Sequence, residues 1–349
     1  MSSEREKLIE IWLDSANERQ YQFAFRNALL SADYRILHNT SHTALELGKD
    51  VLAIDPGGQL MAYQLKGNPS GRLTISQWQK LLPQINTLVY QPVSHPAIKP
   101  GTIHTPVLVT NGEINEDVNA AIVAYNADLS ATLPRRNPLQ TMARGQLLKF
   151  IIDSADTVWP VDIQVQRNIL NMFSSAGDDE LPMKEFIDIL GEVFQGGYAE
   201  TAIPSVHLVT AILASNWIAH ENYFELVKMY VLLTVSSVCY QARWKKQRAR
   251  DKKFIDEMIF DVRTHLRSFI DDLATNFKAG HPLLNKDVFA EFAYYHPRKK
   301  MISGLASAAL LDRDLVLNRD TWDYLWELVC KAKHSSFMLW EGIIPYCLA

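Results

Sequence analysis

The stretch Asp50-Val51-Leu52-Ala53-Ile54-Asp55-Pro56-Gly57-Gly58-Gln59-Leu60-Met61-Ala62-Tyr63-Gln64-Leu65-Lys66 carries the reading of the fold. Its two arms, 50–54 and 60–66, are strand-like runs, and the segment from Asp55 to Gln59 between them is turn chemistry, so the spacing predicts a β-hairpin. Apolar residues occupy both faces, with Leu52, Ile54, Leu60 and Ala62 on one and Val51, Ala53, Met61 and Tyr63 on the other. Strands apolar on both sides belong in the middle of a covered sheet. If the turn is centred on Gly57, residues equidistant from it face each other, which sets Asp50 opposite Gln64. Lys66, two residues further on, shares the face of Gln64 and lies diagonal to Asp50.

A carboxylate, an amide oxygen and an ammonium thus converge on buried strands. Asp50 can hold a hard Mg²⁺ ion, and Gln64 with the main-chain carbonyl of Leu65 offers neutral oxygens. Lys66 can position or deprotonate an attacking water and offset charge on a phosphorane, which suits phosphodiester hydrolysis without a covalent nucleophile. The competing account is an ordinary cross-strand ion pair between Asp50 and Lys66. A Gln and a Lys on a buried central strand nevertheless call for a reason.

Outward from the hairpin, residues 4–31 carry apolar positions at helical spacing (Leu8, Ile11, Trp12, then Phe23, Phe25, Ala28, Leu29, Leu30) and predict one or two helices. Tyr34 to Leu37 reads as a short strand, Ser76 to Tyr90 as a helix despite Pro83, Pro106 to Thr110 as a strand ending at Asn111-Gly112, and Asn115 to Tyr125 as a helix. The order helix, three strands, helix, strand, helix predicts a mixed α/β sheet layered by helices. From Pro134-Arg135-Arg136-Asn137-Pro138, read as a linker, helical periodicity takes over. Helices are expected at about 142–155, 162–175, 183–195, 205–219, 222–278 in pieces, 286–295, 301–311 and 320–340, without a fixed repeat. Two domains follow, 1–133 and an all-α 134–349.

The segment Glu46-Leu47-Gly48-Lys49-Asp50, the hairpin, and Gln64-Leu65-Lys66-Gly67 together resemble the PD-(D/E)xK nuclease superfamily, closest to its Mrr-like branch, where Gln replaces the usual acid before x-Lys. The resemblance covers about residues 15–127 and implies a restriction-endonuclease-like N-terminal domain, with Asp50, Gln64 and Lys66 catalytic. It also implies a Mg²⁺ (or Mn²⁺) site at Asp50, Gln64 and the Leu65 carbonyl. Members often carry a metal-site Glu on the first helix; here Tyr21-Gln22 takes that place ahead of Asp33-Tyr34, so Gln22 departs from the pattern. Glu46 or Glu18 would have to supply a second carboxylate, and Glu46 reads equally well as a solvent-facing loop residue.

Composition bounds the rest. At 349 residues and 48% apolar, the chain can build a core in each domain. The charged N-terminus lacks the pattern of a secretory signal, and the longest apolar run, Met229 to Tyr240, reads as a buried helix, so no membrane is expected. Three cysteines without a close pair fit a reducing cytoplasm, and a net charge of −4 confines any nucleic-acid surface to a patch. Candidates are Lys49 and the run Arg243, Lys245, Lys246, Arg248, Arg250, which reads at least as well as a solvated helix end. Tyr294-Tyr295, Trp322, Tyr324 and Trp326 could stack bases, although packed core is the commoner explanation. The ten histidines show no ligand spacing, and neither a Gly-x-Ser-x-Gly elbow nor a phosphate-binding loop occurs, so an ATPase would be another chain.

The expected function is a Mg-dependent deoxyribonuclease acting on DNA, the effector of a prokaryotic restriction or antiphage defence system. Other subunits of a defence complex are its expected partners, and an oligomer is expected. The alternative is a degenerate nuclease-fold scaffold that binds nucleic acid or protein. A third reading makes the helical region an assembly module.

Overall fold

The computed structural model describes residues 4–39, 49–68, 71–93, 95–154, 163–195, 202–243 and 249–278. In chain order the first elements are α1 (Glu4–Ser15), α2 (Glu18–Ser31), β1 (Arg35–Asn39), β2 (Val51–Ile54), β3 (Leu60–Lys66), β4 (Arg72–Leu73) and α3 (Ile75–Tyr90). There follow β5 (Thr105–Thr110), β6 (Glu113–Ile114), α4 (Glu116–Thr132), β7 (Gln140–Met142) and α5 (Arg144–Ser154). Helices continue with α6 (Ile163–Ser174), α7 (Met183–Gln195), α8 (Ala202–Leu213), α9 (Ser215–Ala219), α10 (Tyr223–Arg243) and α11 (Ala249–Lys278).

Among the described residues a five-stranded mixed sheet runs β1-β2-β3-β5-β7, antiparallel from β1 to β3 and parallel from β3 to β7. The hairpin is therefore central, as its two apolar faces require. Its turn is set locally: Asp55 Oδ1 accepts the Gln59 N–H at 2.7 Å, and Gly58 adopts φ +84°, a conformation open to glycine. β4 and β6 form a separate two-stranded parallel ladder.

Each face of the sheet is covered. Val51, Ala53, Tyr63, Leu65, Val107 and Val109 pack against α1, α2, α5 and α8. Leu52, Ala62 and Leu108 pack against Trp78, Ile85 and Leu88 of α3 and Val118 and Ile122 of α4. Burial of a large apolar side chain contributes about 1.5–3 kcal/mol, so Tyr21, Phe25, Leu29 and their neighbours fix α2 on the sheet. α2 starts in a capping box, with the Asn17 side chain accepting from Gln20 N–H and Gln20 returning to the Asn17 N–H, and α3 starts the same way at Thr74 and Gln77.

The last sheet strand lies beyond the segment read as a linker. Gln140–Met142 pairs parallel to Val107–Val109, although the sequence reading placed only helices after Pro134. Three residues with one β-branched side chain, Thr141, carry too little periodicity to register. The helices of the C-terminal part match their expected positions closely up to residue 278. The helices expected at 286–295, 301–311 and 320–340, with the aromatic residues from Tyr294 to Trp326, lie outside the described residues.

The C-terminal helices build their own core around Phe186, Val206, Trp217, Tyr230, Phe254 and Met258. By length and composition Tyr223–Ala242 in α10 could cross a membrane, a longer apolar stretch than the run from Met229 to Tyr240. Its Leu226, Met229, Tyr230 and Leu233 are buried in that core. α2 joins this core to the sheet through a fully buried charged seam. The Arg26 guanidinium is bonded to both carboxylate oxygens of Asp261 on α11, and His207 Nε2 on α8 lies 3.0 Å from the same carboxylate. Arg26 Nε and Nη1, His207 Nδ1, Tyr230 Oη and His265 Nε2 around it have no hydrogen-bond partner among the described residues.

Candidate active site

Within the strands the register anticipated from the turn is the one observed, Val51 facing Tyr63 and Leu52 facing Ala62, and just before β2 the Asp50 side chain meets that of Gln64. The Asp50 N–H donates to Tyr63 O at 2.8 Å, so Asp50 and Val51 both lie against Tyr63 and the chain steps out of the regular register there. Asp50 Oδ2 accepts from Gln64 Nε2 at 2.7 Å and from the Leu65 N–H at 2.6 Å. Both side chains are buried, at 5% and 4% exposure. Gln64 Oε1 is left buried without a hydrogen-bond partner among the described residues.

Lys66 ends on a different acid. Its Nζ lies 3.2 Å from Glu18 Oε2 at the first turn of α2, in a partly exposed pair. The close approach is made possible by Gly67, where a β carbon would fall 2.6 Å from the Glu18 nitrogen. Of the two acids considered as a second carboxylate, Glu18 is thus beside Lys66, while Glu46 lies outside the described residues.

Tyr21 feels the charge of an acid from each pair, Glu18 and Asp50, and the sequence reading gave it no role. Its hydroxyl donates to Val109 O at 3.3 Å and meets the main chain of Lys66. Burial first, then the negative charges of Glu18 and Asp50, hold the phenol well above its ordinary pKa, so it stays a neutral donor. Its signal in the sequence was the Tyr21-Gln22 pair at the position where the resemblance expects aromatic-Glu. Gln22 is buried on α2, one turn beyond Glu18.

The expected nucleic-acid contacts fare differently. Lys49 is turned inward: it is 3% exposed, its Nζ lies 3.5 Å from Thr87 O, and burial followed by the charge of Arg136 lowers its pKa to about 8. A side chain committed to the end of α3 does not form part of a solvated DNA-facing patch. Lys245, Lys246 and Arg248 lie outside the described residues, and Arg243 and Arg250 belong to α10 and α11 with side chains outside the description.

Gln64 decides how well the donor set fits a divalent cation. As arranged, the amide nitrogen faces the Asp50 carboxylate and the amide oxygen is orphaned; a half-turn of the amide would direct that oxygen to the same side as the carboxylate. In an extended strand the N–H and C=O of one residue face the same edge, so the Leu65 carbonyl also faces the edge where Asp50 meets its N–H. One carboxylate and two neutral oxygens fit a hard cation of low affinity. No group of three or more His, Cys, Asp or Glu suited to a metal occurs among the described residues, so the set lacks a second carboxylate.

Beside Glu18, an open cleft of about 410 Å³ is lined by Asn17, Glu18, Arg19, Ile218 and Ala219, between the start of α2 and the end of α9. Arg19 pairs there with Glu221 at 2.5 Å, in an exposed contact. Comparison of the chain with protein-family models, curated proteins and solved structures found no match.

Proposed function

We propose that this chain is a metal-dependent nuclease that hydrolyses DNA phosphodiester bonds, with a restriction-endonuclease-like N-terminal fold and Asp50, Gln64 and Lys66 at its centre. The observation that carries the reading is the buried Asp50–Gln64 pair with its orphaned amide oxygen, placed at the carboxyl end of the parallel β3–β5 pair beside Lys66. Ligands of α/β sheets gather at such strand ends.

Asp50, Gln64 Oε1 and the Leu65 carbonyl would hold Mg²⁺ or Mn²⁺. The ion, when bound, supplies Lewis acidity and lowers the pKa of water. Lys66 positions the attacking water and offsets charge developing on the phosphate oxygens, while Glu18 holds the ammonium at the end of β3. Tyr21, neutral and buried, excludes water behind the two pairs. On the family resemblance alone, the chain acts in the cytoplasm as the effector of a prokaryotic restriction or antiphage defence system, within an oligomer or a complex with other subunits.

A second reading, a degenerate nuclease fold that serves as a binding scaffold, is favoured by two observations. Asp50 Oδ2 is already taken by two N–H donors, and Gln22 stands where a further acid is expected. The deciding experiment is cleavage of supercoiled and linear duplex DNA, with single-stranded DNA and RNA alongside, by wild type and Lys66→Ala in Mg²⁺, Mn²⁺ and EDTA. Metal-dependent cutting that Lys66→Ala abolishes supports the nuclease; DNA binding without cutting supports the scaffold.

A further inference from the structure

Asn111 follows β5 directly and is fully buried. Its Nδ2 donates to Leu13 O at 2.8 Å and to Ala16 O at 2.7 Å, and its Oδ1 accepts the Asn68 N–H at 2.7 Å. The amide therefore uses both of its hydrogens and its oxygen, each toward main chain. Leu13 lies in the last turn of α1, where a helix has no partner of its own for the carbonyl, and Ala16 is the residue that follows the helix.

The positions of these three contacts matter more than their number. Ala16 stands two residues before Glu18, and Asn68 stands two residues after Lys66. One side chain thus ties the segment that delivers Glu18 to the segment that receives Lys66. The segments run close together here: a β carbon at Gly67 would fall 2.6 Å from the Glu18 nitrogen, and one at Gly112 would come within 2.9 Å of Asn68. The register Lys66 opposite Thr110 brings Asn111 alongside the chain as it leaves Lys66.

We infer that Asn111 is a positioning residue of this site, which sets the distance at which Glu18 meets Lys66. The consequence for cleavage rests on the nuclease reading above, whereas the tie itself does not. A purely architectural amide would affect stability and leave the surroundings of the Lys66 ammonium unchanged.

The test uses the full chain labelled with ¹⁵Nζ-lysine, in wild type, Glu18→Gln, Asn111→Ser and the double variant. The Lys66 Nζ resonance, assigned by its absence in Lys66→Ala, should move in Asn111→Ser toward its position in Glu18→Gln. In the double variant it should move no further. An unchanged Lys66 resonance in folded Asn111→Ser overturns the proposal. In wild type, which needs no substitution, the Asn68 amide and the Asn111 side-chain amide should exchange with solvent slowly; exchange at open-loop rates also overturns it. For cleavage, Asn111→Ser should lower kcat by about 10- to 100-fold with KM little changed, the loss typical of a displaced catalytic group. A wild type that cuts nothing overturns the nuclease reading and leaves the resonance comparison to decide the tie.

Discussion

Asp50 and Gln64 face each other across the hairpin and are joined by a 2.7 Å bond in which the amide donates to the carboxylate. The partner atom of that amide, Gln64 Oε1, is buried and unbonded among the described residues. Replacing Gln64 by Glu sets a second carboxylate against the first. Gln64→Glu should therefore lose stability without metal and regain it with Mg²⁺ or Mn²⁺, giving a larger metal-dependent rise in Tm than wild type. Thermal melts over a metal titration check this, and melts insensitive to metal in both proteins would count against a cation at this position.

Asp50→Ala is expected to weaken the fold as well as the site. The carboxylate satisfies the Leu65 N–H at 2.6 Å, and truncation leaves a buried donor without an acceptor, a loss of about 1–3 kcal/mol. Asp50→Asn keeps an oxygen and should cost less while still abolishing cleavage. Urea denaturation of both variants separates the two effects.

Lys66→Ala should leave stability within about 1 kcal/mol of wild type, because its pair with Glu18 is partly exposed and such pairs contribute little. Cleavage should fall to background. A large loss of stability would instead favour the structural account of Lys66.

The seam between Arg26 and Asp261 makes the opposite prediction. Either Arg26→Met or Asp261→Leu alone strands a buried charge and should cost about 3–5 kcal/mol. The two together should recover much of that loss, since apolar replacement of a buried pair is often neutral. Chemical denaturation of the singles and the double measures the coupling.

Mild acid should destabilise the fold through the buried histidine of this seam. His265 on α11 is flanked by Arg26 of α2, Tyr230 of α10 and Asp261 of its own helix, with His207 of α8 and Glu257 of α11 in the same seam. Burial, only partly offset by Asp261 and reinforced by Arg26, lowers its pKa to about 4. The unfolded chain takes up this proton near pH 6.5, so it binds more protons than the fold between the two values. Stability present above pH 6.5 is then lost as pH falls toward 4, by about 2 kcal/mol at pH 5 from this residue. His265→Phe, which can keep the stacking on Phe23, should flatten the stability profile across that window.

What the sequence disclosed and what it hid follow from the range of the interactions. The hairpin, its register and the nearness of the Asp50 and Gln64 side chains were legible because turn chemistry and two-residue alternation are local, whereas the step out of register at Asp50 was not. The destination of Lys66 was only half legible: Glu18 could be named as a nearby acid, but contact between them depends on Gly67 lying against the α2 nitrogen. Asn111 looked like turn punctuation after a strand, and its bonds to Leu13 and Ala16 span almost a hundred residues. Arg26 carried a signal of its own, a charge set among Phe23, Phe25, Ala28 and Leu29 where a surface helix would be polar. α4 ran on to Thr132 beyond the expected Tyr125 because Leu129 continues its buried face.

The position of β7 bears on how this protein could be divided. A fragment ending at residue 133 would bare the edge of β5 and strip α2 of the side chains that α5 and α8 lay over it. Bare edges and uncovered apolar helices drive aggregation. A protease nicking the chain near Pro134 should therefore yield two pieces that stay together until denaturant parts them. Any exchange of the C-terminal helices for others, in the laboratory or in evolution, would have to carry β7 and α5 with the sheet and find a new cover for α2.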